Sequence, residues 1–530
     1  MNATIDIRGV KLGEGIPKLI VPVAAKELSQ ILSGAHAALS AGAEIVEWRA
    51  DFFDGVTNPK ALRAALAALR DVLGETPLLF TLRSSAQGGA LSLSPSEAAD
   101  LLLFAAESGE PDLVDVEYAL SPTLAHETIA SIQALQKTAV CSLHLYDGMP
   151  PADALFSLLE ELQKTGARIL KLAVAQSEPD DQAKLFDATL RMHQEHPVCL
   201  LITMALGKAG MLSRILAETA GSVAVFGAAQ QKTDPGQLSA KSTKETLSIF
   251  HKTLDDALEA GLSLPTPKTK LLAFLGTPLK QALSPRLLNA LFAQNGLHYF
   301  YLPIDTAPDE LDAVLTSLRV SNLRGFAVTK PHKTAVLPYL DELDVTASRS
   351  GACNTVVNSG GKWVGYNTDG IAAVEALKWE GRVRTQDETF LCIGAGGTAR
   401  AMCFELALRG AKRVYIFTRS DACEALATEF NRSFPGMFAA FRASEENYLR
   451  IAQRCGVILN LSGSGMFPHV EETPLPKEAF RPGQVCFDAV YNPSPTRFLH
   501  EAREAGCRII NGLGMLQYTV AKQLELWRHD

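Results

Sequence analysis

Short apolar runs, each followed by a longer stretch with helical spacing, recur along the first half of the chain. The runs are KLIVPV (18–23), EIVEWRAD (44–51), PLLFTLR (77–83), DLVDVEY (112–118), TAVCSLH (138–144), RILKLAV (168–174), VCLLITM (198–204) and SVAVFG (222–227). Near-continuous apolar runs of this length read as strands buried on both faces, as in parallel sheets. Between them, stretches such as PKALRAALAALRDVLG and PSEAADLLLFAAES place apolar residues at three- and four-residue intervals, the stripe of an amphipathic helix. Eight strands alternating with helices over about 240 residues predict a (β/α)8 barrel. A doubly wound sheet is the other arrangement such alternation allows, but no Gly-rich phosphate loop accompanies these eight strands.

The pattern breaks at AGLSLPTPKTK (260–270), a Pro-rich polar stretch that reads as a linker. LLAFLGTP (271–278) then opens a new α/β unit, and a third shift near 384–388 precedes TFLCIGAGGTARA. The expected organisation is a barrel over 1–252 and a linker over 253–269. A small α/β domain follows over 270–387, then a dinucleotide-type domain over 388–511, with a final helix (512–530) packing back on the small domain. The fold class is therefore α/β throughout.

Composition narrows the class. With 530 residues, 47% apolar and 20% charged, the chain is ordinary for a soluble globular protein. A net charge of −8 argues against general binding to nucleic acid or anionic membranes. No apolar run reaches the ~18–20 residues of a membrane span, and the N-terminus shows no signal-peptide pattern. Nine cysteines occur without a C-x-x-C pair, so neither a metal site nor a disulfide framework is expected, and a cytoplasmic location fits best.

In a barrel of this kind, functional side chains sit at the C-terminal ends of the strands. Several polar residues fall there. Glu47, Arg49 and Asp51 share one face by two-residue alternation, as do Asp115 and Glu117. Arg83 ends the third run, His144 ends the fifth, Arg214 follows the seventh, and TDPGQ (233–237) lies after the eighth. Lys171 is the anomaly, a lone amine inside RILKLAV. Burying an unpartnered ammonium is costly, so the lysine is either a paired structural group or a nucleophile toward a carbonyl. A histidine for proton transfer and arginines for a carboxylate point to Schiff-base chemistry on an anionic keto acid.

The ordered set EWRAD, TLRSSAQGG, a strand-end His, LKLAV, GKAGMLSR and DPGQ resembles the type I 3-dehydroquinate dehydratases over about 17–252. The resemblance implies that Lys171 forms an imine with the substrate ketone and that His144 moves protons during loss of water. Glu47 would support His144, while Arg49, Arg83, Arg214 and Gln237 would hold the carboxylate and hydroxyls. Thr233 stands where that family has serine, and Gln87 where it commonly has glutamate. The residues after the histidine, HLYDGMPP, lack the family's usual Asp-Phe pair.

In the second half, TFLCIGAGGTAR is an apolar strand followed by Gly394-x-Gly396-x-x-Ala399, a dinucleotide fingerprint in its strand–turn–helix context. The next strand, RVYIFTRS, ends in Thr418-Arg419, where an NAD-binding domain would place an acid; the basic residue favours NADP. Lys333 and Asp369 would each pass for surface charges alone. Beside a nicotinamide domain, they form a candidate pair for moving an alcohol proton.

The segments GTPLKQALSP, VTKPHK, CNTVV, NTDG, GAGGTAR, NLSGSGM, FDAVYNP and GLGML resemble the shikimate dehydrogenase family over about 270–530. That resemblance implies Lys333 and Asp369 as the catalytic pair, with Ser284, Thr329, Asn354 and Tyr491 at the substrate. Gly394, Gly396, Gly397, Thr418, Arg419, Met466 and Gly512 would serve NADP. Three polar positions depart from the family: Ala282, Ala327 and Thr519 replace a serine, an asparagine and a glutamine.

The combined expectation is a bifunctional lyase and oxidoreductase. It would dehydrate 3-dehydroquinate and then reduce 3-dehydroshikimate to shikimate with NADPH. The alternatives are a second half acting on quinate or another hydroxy acid, an aldolase-type barrel, and a non-catalytic ligand sensor. Oligomeric state is left open.

Overall fold

The computed structural model describes residues 3–230, 232–321 and 323–528. Packing divides the chain into two compact units, Met1–Lys270 with Phe292–Asn322, and Leu271–Leu291 with Leu323–Asp530.

The first unit is built on eight parallel strands: β1 (Lys18–Val23), β2 (Ile45–Arg49), β3 (Leu78–Thr81), β4 (Leu113–Glu117), β5 (Thr138–Leu145), β6 (Ile169–Ala175), β7 (Leu200–Leu206) and β8 (Ala224–Phe226). Each pairs with the next in sequence from β1 to β7, and β8 pairs with β1. A parallel bridge between Leu201 and Ser222 brings β7 to β8, so the barrel is nearly closed. The connecting helices carry local start signals. Asn58 caps Pro59–Leu73 by accepting from Lys60 N and Ala61 N, and Ser94 with Glu97 forms a capping box on Pro95–Glu107.

Inside the barrel the side chains form layers in two-residue steps, because alternate residues of a strand point inward. Ile20, Ile45, Leu79, Leu113, Val140, Ile169 and Leu200 make an apolar layer that packs with Ile5, Ile7 and Leu12 of a hairpin (Ile5–Ile7, Val10–Leu12). Two residues further along, the inward positions turn polar: Glu47, Thr81, Asp115, Ser142 and Lys171, all buried. The apolar floor thus lifts a charged layer toward the C-terminal ends of the strands.

Two further elements of the first unit matter below. Helix α1 (Met211–Ile215) follows β7, and helix α2 (Ala240–Glu259) follows the loop after β8. Strand Tyr299–Asp305 and helix α3 (Leu311–Arg319) pack in this unit too. Phe250 of α2 meets Phe300 edge-on at 5.9 Å, and Asp305 N donates to Thr246 Oγ1 at 3.0 Å.

The second unit holds a mixed sheet and a parallel one. In the mixed sheet, β9 (Lys270–Gly276) lies beside β10 (Gly325–Val328), followed in space by β12 (Thr355–Ser359), β13 (Lys362–Tyr366) and β11 (Glu342–Leu343). The parallel sheet is β14 (Thr389–Ile393), β15 (Arg413–Thr418), β16 (Phe438–Arg442), β17 (Val457–Asn460), β18 (Val485–Asp488) and β19 (Arg508–Ile510). Numbering these six in sequence, the spatial order is 3-2-1-4-5-6, the doubly wound dinucleotide-binding arrangement. Helix α4 (Asp369–Trp379) leads from the mixed sheet, and α5 (Gly397–Leu408) follows β14. The last helix, α6 (Gly512–Arg528), returns to the mixed sheet: Gln523 donates to Thr355 Oγ1 at 3.0 Å and Trp527 Nε1 to Val356 O at 3.0 Å.

Candidate active sites

In the barrel, Lys171 Nζ lies 3.2 Å from Glu47 Oε1 and 3.3 Å from Asp115 Oδ2, with only 4% of the residue exposed. It also sits 4.6 Å from the centre of the Phe226 ring. The two carboxylates offset the desolvation of the ammonium, and the ring face adds a cation–π contact. Asp115 is a hub. It accepts from Arg83 at 2.7 Å and from Ser142 Oγ. Burial works against its ionisation, yet Arg83, Lys171 and Ser142 together hold its carboxyl below the ordinary range. Arg83 in turn reaches Glu117 at 2.9 Å, and the same carboxylates keep its guanidinium firmly charged despite full burial.

His144 ends the same inward row of β5, two residues after Ser142. Its backbone N donates to Gln87 Oε1 at 2.7 Å, while its Nδ1 is buried with no hydrogen-bond partner among the described residues. Burial, then Arg83, Lys171 and Arg49, push its pKa well below 6.5. The ring is therefore a neutral imidazole at physiological pH, the form that takes up a proton. Glu47, expected to support His144, instead accepts from Lys171 and from Thr81 Oγ1 at 2.9 Å. The reason is register: Glu47, Thr81 and Lys171 share one inward layer, and His144 lies one layer higher.

The remaining predicted groups are held in pairs. Arg49 forms a two-pronged pair with Asp51 at 2.8 Å for each contact. Arg214, on α1, is buried and binds Asp234 Oδ2 at 2.8 Å. Asp234 also accepts from Gly207 N and Gly236 N, which ties together the loops after β7 and β8. Thr233 and Gln237 bind each other: Gln237 Nε2 donates to Thr233 Oγ1 at 2.9 Å, and Thr233 N to Gln237 Oε1 at 3.0 Å. Thr81, Ser142, Asp234 and Asp115 received no role in the sequence reading. Counting two-residue steps from the apolar layer would have found the first two, since each stands two residues beyond an inward apolar neighbour.

In the second unit, the Lys333 Nζ donates to Asp369 Oδ2 and, at 3.0 Å, to Thr398 Oγ1. Asn354 Nδ2 donates to Asp369 Oδ1 at 2.7 Å, while Asn354 Oδ1 accepts from Thr355 Oγ1 and Thr368 N. The pair is thus oriented by a chain of amide and hydroxyl contacts that continues to Gln523 through Thr355. Thr398, another residue without a sequence-derived role, joins the fingerprint loop to the pair. Gly397 explains the closeness: a Cβ there would stand 3.0 Å from Lys333 Cβ.

Ser284 is buried at the start of its helix, and Thr329 is half-buried, its N donating to Leu275 O at 2.8 Å. Burial pushes the Tyr491 phenol above its ordinary value, opposed by a hydrogen bond with the Leu283 backbone. Next to it, Asn492 Nδ2 donates to Gln281 Oε1 at 3.0 Å, so the segment carrying Ala282 lies beside Tyr491.

The dinucleotide loop suits a pyrophosphate. Gly394 has φ +122°, and a Cβ there would stand 2.8 Å from Leu461 O; Gly396, at the N-cap of α5, has open space on that side. Thr418 closes the turn after β15, donating to Ser420 O and accepting from Cys423 N, and Arg419 is exposed beside it. An exposed guanidinium at this strand end fits a 2′-phosphate. Met466 is exposed in the loop that follows β17, and Gly512 N donates to Val490 O at 3.3 Å. Among the described residues, no cluster of His, Cys, Asp and Glu could hold a metal ion, and no helix is long and apolar enough to cross a membrane.

In one chain, a parallel barrel holding a lysine among carboxylates is joined to a dinucleotide-type fold bearing a Lys–Asp pair. The family model "Type I 3-dehydroquinase" matches residues 19–254, and "Shikimate dehydrogenase substrate binding domain" matches 274–356. The bifunctional 3-dehydroquinate dehydratase/shikimate dehydrogenase, chloroplastic, of Arabidopsis thaliana is 30% identical over 535 residues, spanning 96% of this chain and 82% of that protein. A shikimate dehydrogenase (NADP(+)) of Moorella thermoacetica is 41% identical over 261 residues, 49% of this chain and 88% of that protein. The solved type I 3-dehydroquinate dehydratase of Clostridium difficile is 32% identical, covering 48% of this chain and 99% of that one, with a TM-score of 0.46. The chain belongs to the bifunctional 3-dehydroquinate dehydratase/shikimate dehydrogenase family. It is a shikimate-pathway enzyme with a lyase and an oxidoreductase activity, and its cofactor is NADP.

Proposed function

We propose that Lys171 is the imine-forming residue of the lyase and that Lys333 with Asp369 moves the proton in the reductase. The observation that carries the first assignment is the placement of Lys171 Nζ between Glu47 and Asp115, at 3.2 and 3.3 Å, deep in the barrel. Glu47 is the acceptor for the proton that the ammonium must lose before it attacks a carbonyl, since the neighbours of Asp115 hold that carboxyl below the ordinary range. The Nζ lone pair then adds to the ketone carbon of 3-dehydroquinate, and the carbonyl oxygen leaves as water, giving a protonated imine. That cation draws electrons from the adjacent C–H bond. His144, held neutral by burial and three cationic neighbours, accepts the proton and returns it to the departing hydroxyl. Water then hydrolyses the imine and frees the lysine. Arg49, Arg83, Arg214, Thr233 and Gln237 are the groups for the carboxylate and hydroxyls.

In the reductase, bound NADPH supplies a hydride to the carbonyl carbon of 3-dehydroshikimate. Lys333 donates a proton to the carbonyl oxygen, Asp369 keeps the ammonium in place, and Asn354 fixes the second carboxylate oxygen of Asp369. Ser284, Thr329 and Tyr491 complete the substrate side. Gly394, Gly396, Gly397, Thr418, Arg419, Met466 and Gly512 serve the cofactor. We assign the chain to a reducing, cytoplasmic compartment, a reading supported by nine buried cysteines that are all free.

Borohydride added with 3-dehydroquinate should leave a covalent adduct on the peptide containing Lys171, and none on Lys171→Met. An adduct elsewhere, or none in the parent enzyme, overturns the assignment.

A further inference from the structure

The N-terminus of α2 is held by a residue from far downstream. Ser239 caps the helix, accepting from Ser242 N at 3.1 Å. In a capping box, the acidic side chain at the third helical position returns a bond to the amide of the cap residue. Here that position is Ser242, and the acid comes from residue 310. Ser239 N donates to Glu310 Oε1 at 2.6 Å, and Ser242 Oγ donates to Glu310 Oε2. Glu310 is 6% exposed and stands at the start of α3, which packs within the first unit close to α1. Yet it lies inside the 274–356 segment that matches the shikimate dehydrogenase substrate domain.

The clamped amide is two residues from Gln237. The intervening backbone is pinned as well, with Ala228 N donating to Leu238 O and Ala240 N to Ala228 O. The loop from Thr233 to Ser239 is therefore fixed at its far end by Glu310, and near its start by the bond of Asp234 to Arg214. We propose that Glu310 is a positioning residue for the dehydratase: it sets the loop that presents Thr233 and Gln237 to 3-dehydroquinate. The lyase site thus depends on a residue encoded in the reductase half of the gene product. This rests on the reading of Gln237 as a substrate contact.

The test measures both activities of the full chain in Glu310→Ala, Glu310→Gln, Ser242→Ala and Gln237→Ala. Loss of a capping bond corresponds to about a five- to ten-fold change in an equilibrium constant. Glu310→Ala should raise the dehydratase KM by about that factor, with kcat within two-fold and NADPH-dependent reduction unchanged. Glu310→Gln keeps an acceptor for Ser239 N and should restore most of the parent KM. Ser242→Ala removes one of the two bonds with little risk to folding, and should give an intermediate KM. A raised KM in Gln237→Ala beside parent-like values in Glu310→Ala and Ser242→Ala overturns the proposal. So does a parallel fall in both activities, the mark of general destabilisation. An unchanged KM in Gln237→Ala overturns the reading of the loop, and the proposal with it.

Discussion

Asp488 ends β18 as a fully buried carboxylate whose partners are all uncharged. Oδ1 accepts from Val490 N at 2.9 Å and Asn460 Nδ2 at 3.0 Å, and Oδ2 from Thr496 Oγ1 at 2.6 Å. Burial outweighs these bonds and raises its pKa from an ordinary 3.8 to about 6. A carboxyl whose folded pKa lies above its unfolded value binds more protons when folded, so its charge becomes a cost as pH rises from 3.8 through 6. Two pKa units correspond to about 3 kcal/mol above pH 7, falling to about 1.5 kcal/mol at pH 5 and about 0.5 kcal/mol at pH 4. Asp488→Asn keeps the shape and an acceptor for Val490 and Asn460 but never ionises. Its stability advantage over the parent should therefore grow by about 2–2.5 kcal/mol between pH 4 and pH 7.5, or roughly 5–10 °C in the Tm of a unit of this size. Thermal unfolding of both proteins, followed side by side across that range, measures the gap directly, and other titrating groups cancel in the difference. A gap that is constant, or that narrows as pH rises, would refute the reasoning. The site has a functional side, because Asp488 holds Asn460, where the 460–466 loop begins, and the amide just before Tyr491.

Three further outcomes follow from the sites. Because only neutral imidazole takes a proton, and burial with Arg83, Lys171 and Arg49 keeps His144 neutral well below pH 6.5, dehydratase kcat should not fall as pH drops through 6.5; half-loss at that pH contradicts the geometry. Arg419→Ala should raise the KM for NADPH by about ten-fold or more through loss of a charge-assisted contact, with little effect on NADH; equal effects on both would remove the 2′-phosphate role. Restoring the three departing side chains together, Ala282→Ser, Ala327→Asn and Thr519→Gln, should lower the KM for shikimate, each bond being worth about 1 kcal/mol, and an unchanged or raised KM removes them from the substrate side. Kinetics on shikimate and quinate, before and after, show whether the departures moved the preference; efficient shikimate turnover with quinate inert in the parent answers it in the negative.

Much of this protein could be read from the order of its residues. The run KLIVPV became strand Lys18–Val23 and RILKLAV became Ile169–Ala175, because a strand buried on both faces must be apolar almost throughout, a local property. Gly394 of the fingerprint was legible for a similar reason: its positive φ and the close approach of Leu461 O exclude other residues, so the requirement is written in the sequence itself. Lys171 stood out because one charge in an apolar run is anomalous without any knowledge of its neighbours.

What the order of residues did not disclose was partnership. Glu47 was assigned to His144, yet it meets Lys171, because the barrel's stagger decides which inward positions share a layer. Asp115 became the hub only when β4 was set between β3 and β5, bringing Arg83 and Ser142 to opposite sides of one carboxylate. Thr398 reached Lys333 across 65 positions, and Glu310 capped a helix that begins 70 positions earlier. Local rules act over a few residues of chain, whereas hydrogen bonds and ion pairs act over a few ångströms of space. The sequence therefore determined the strands, the helix starts and the reactive side chains, and the tertiary structure alone decided which of those side chains meet.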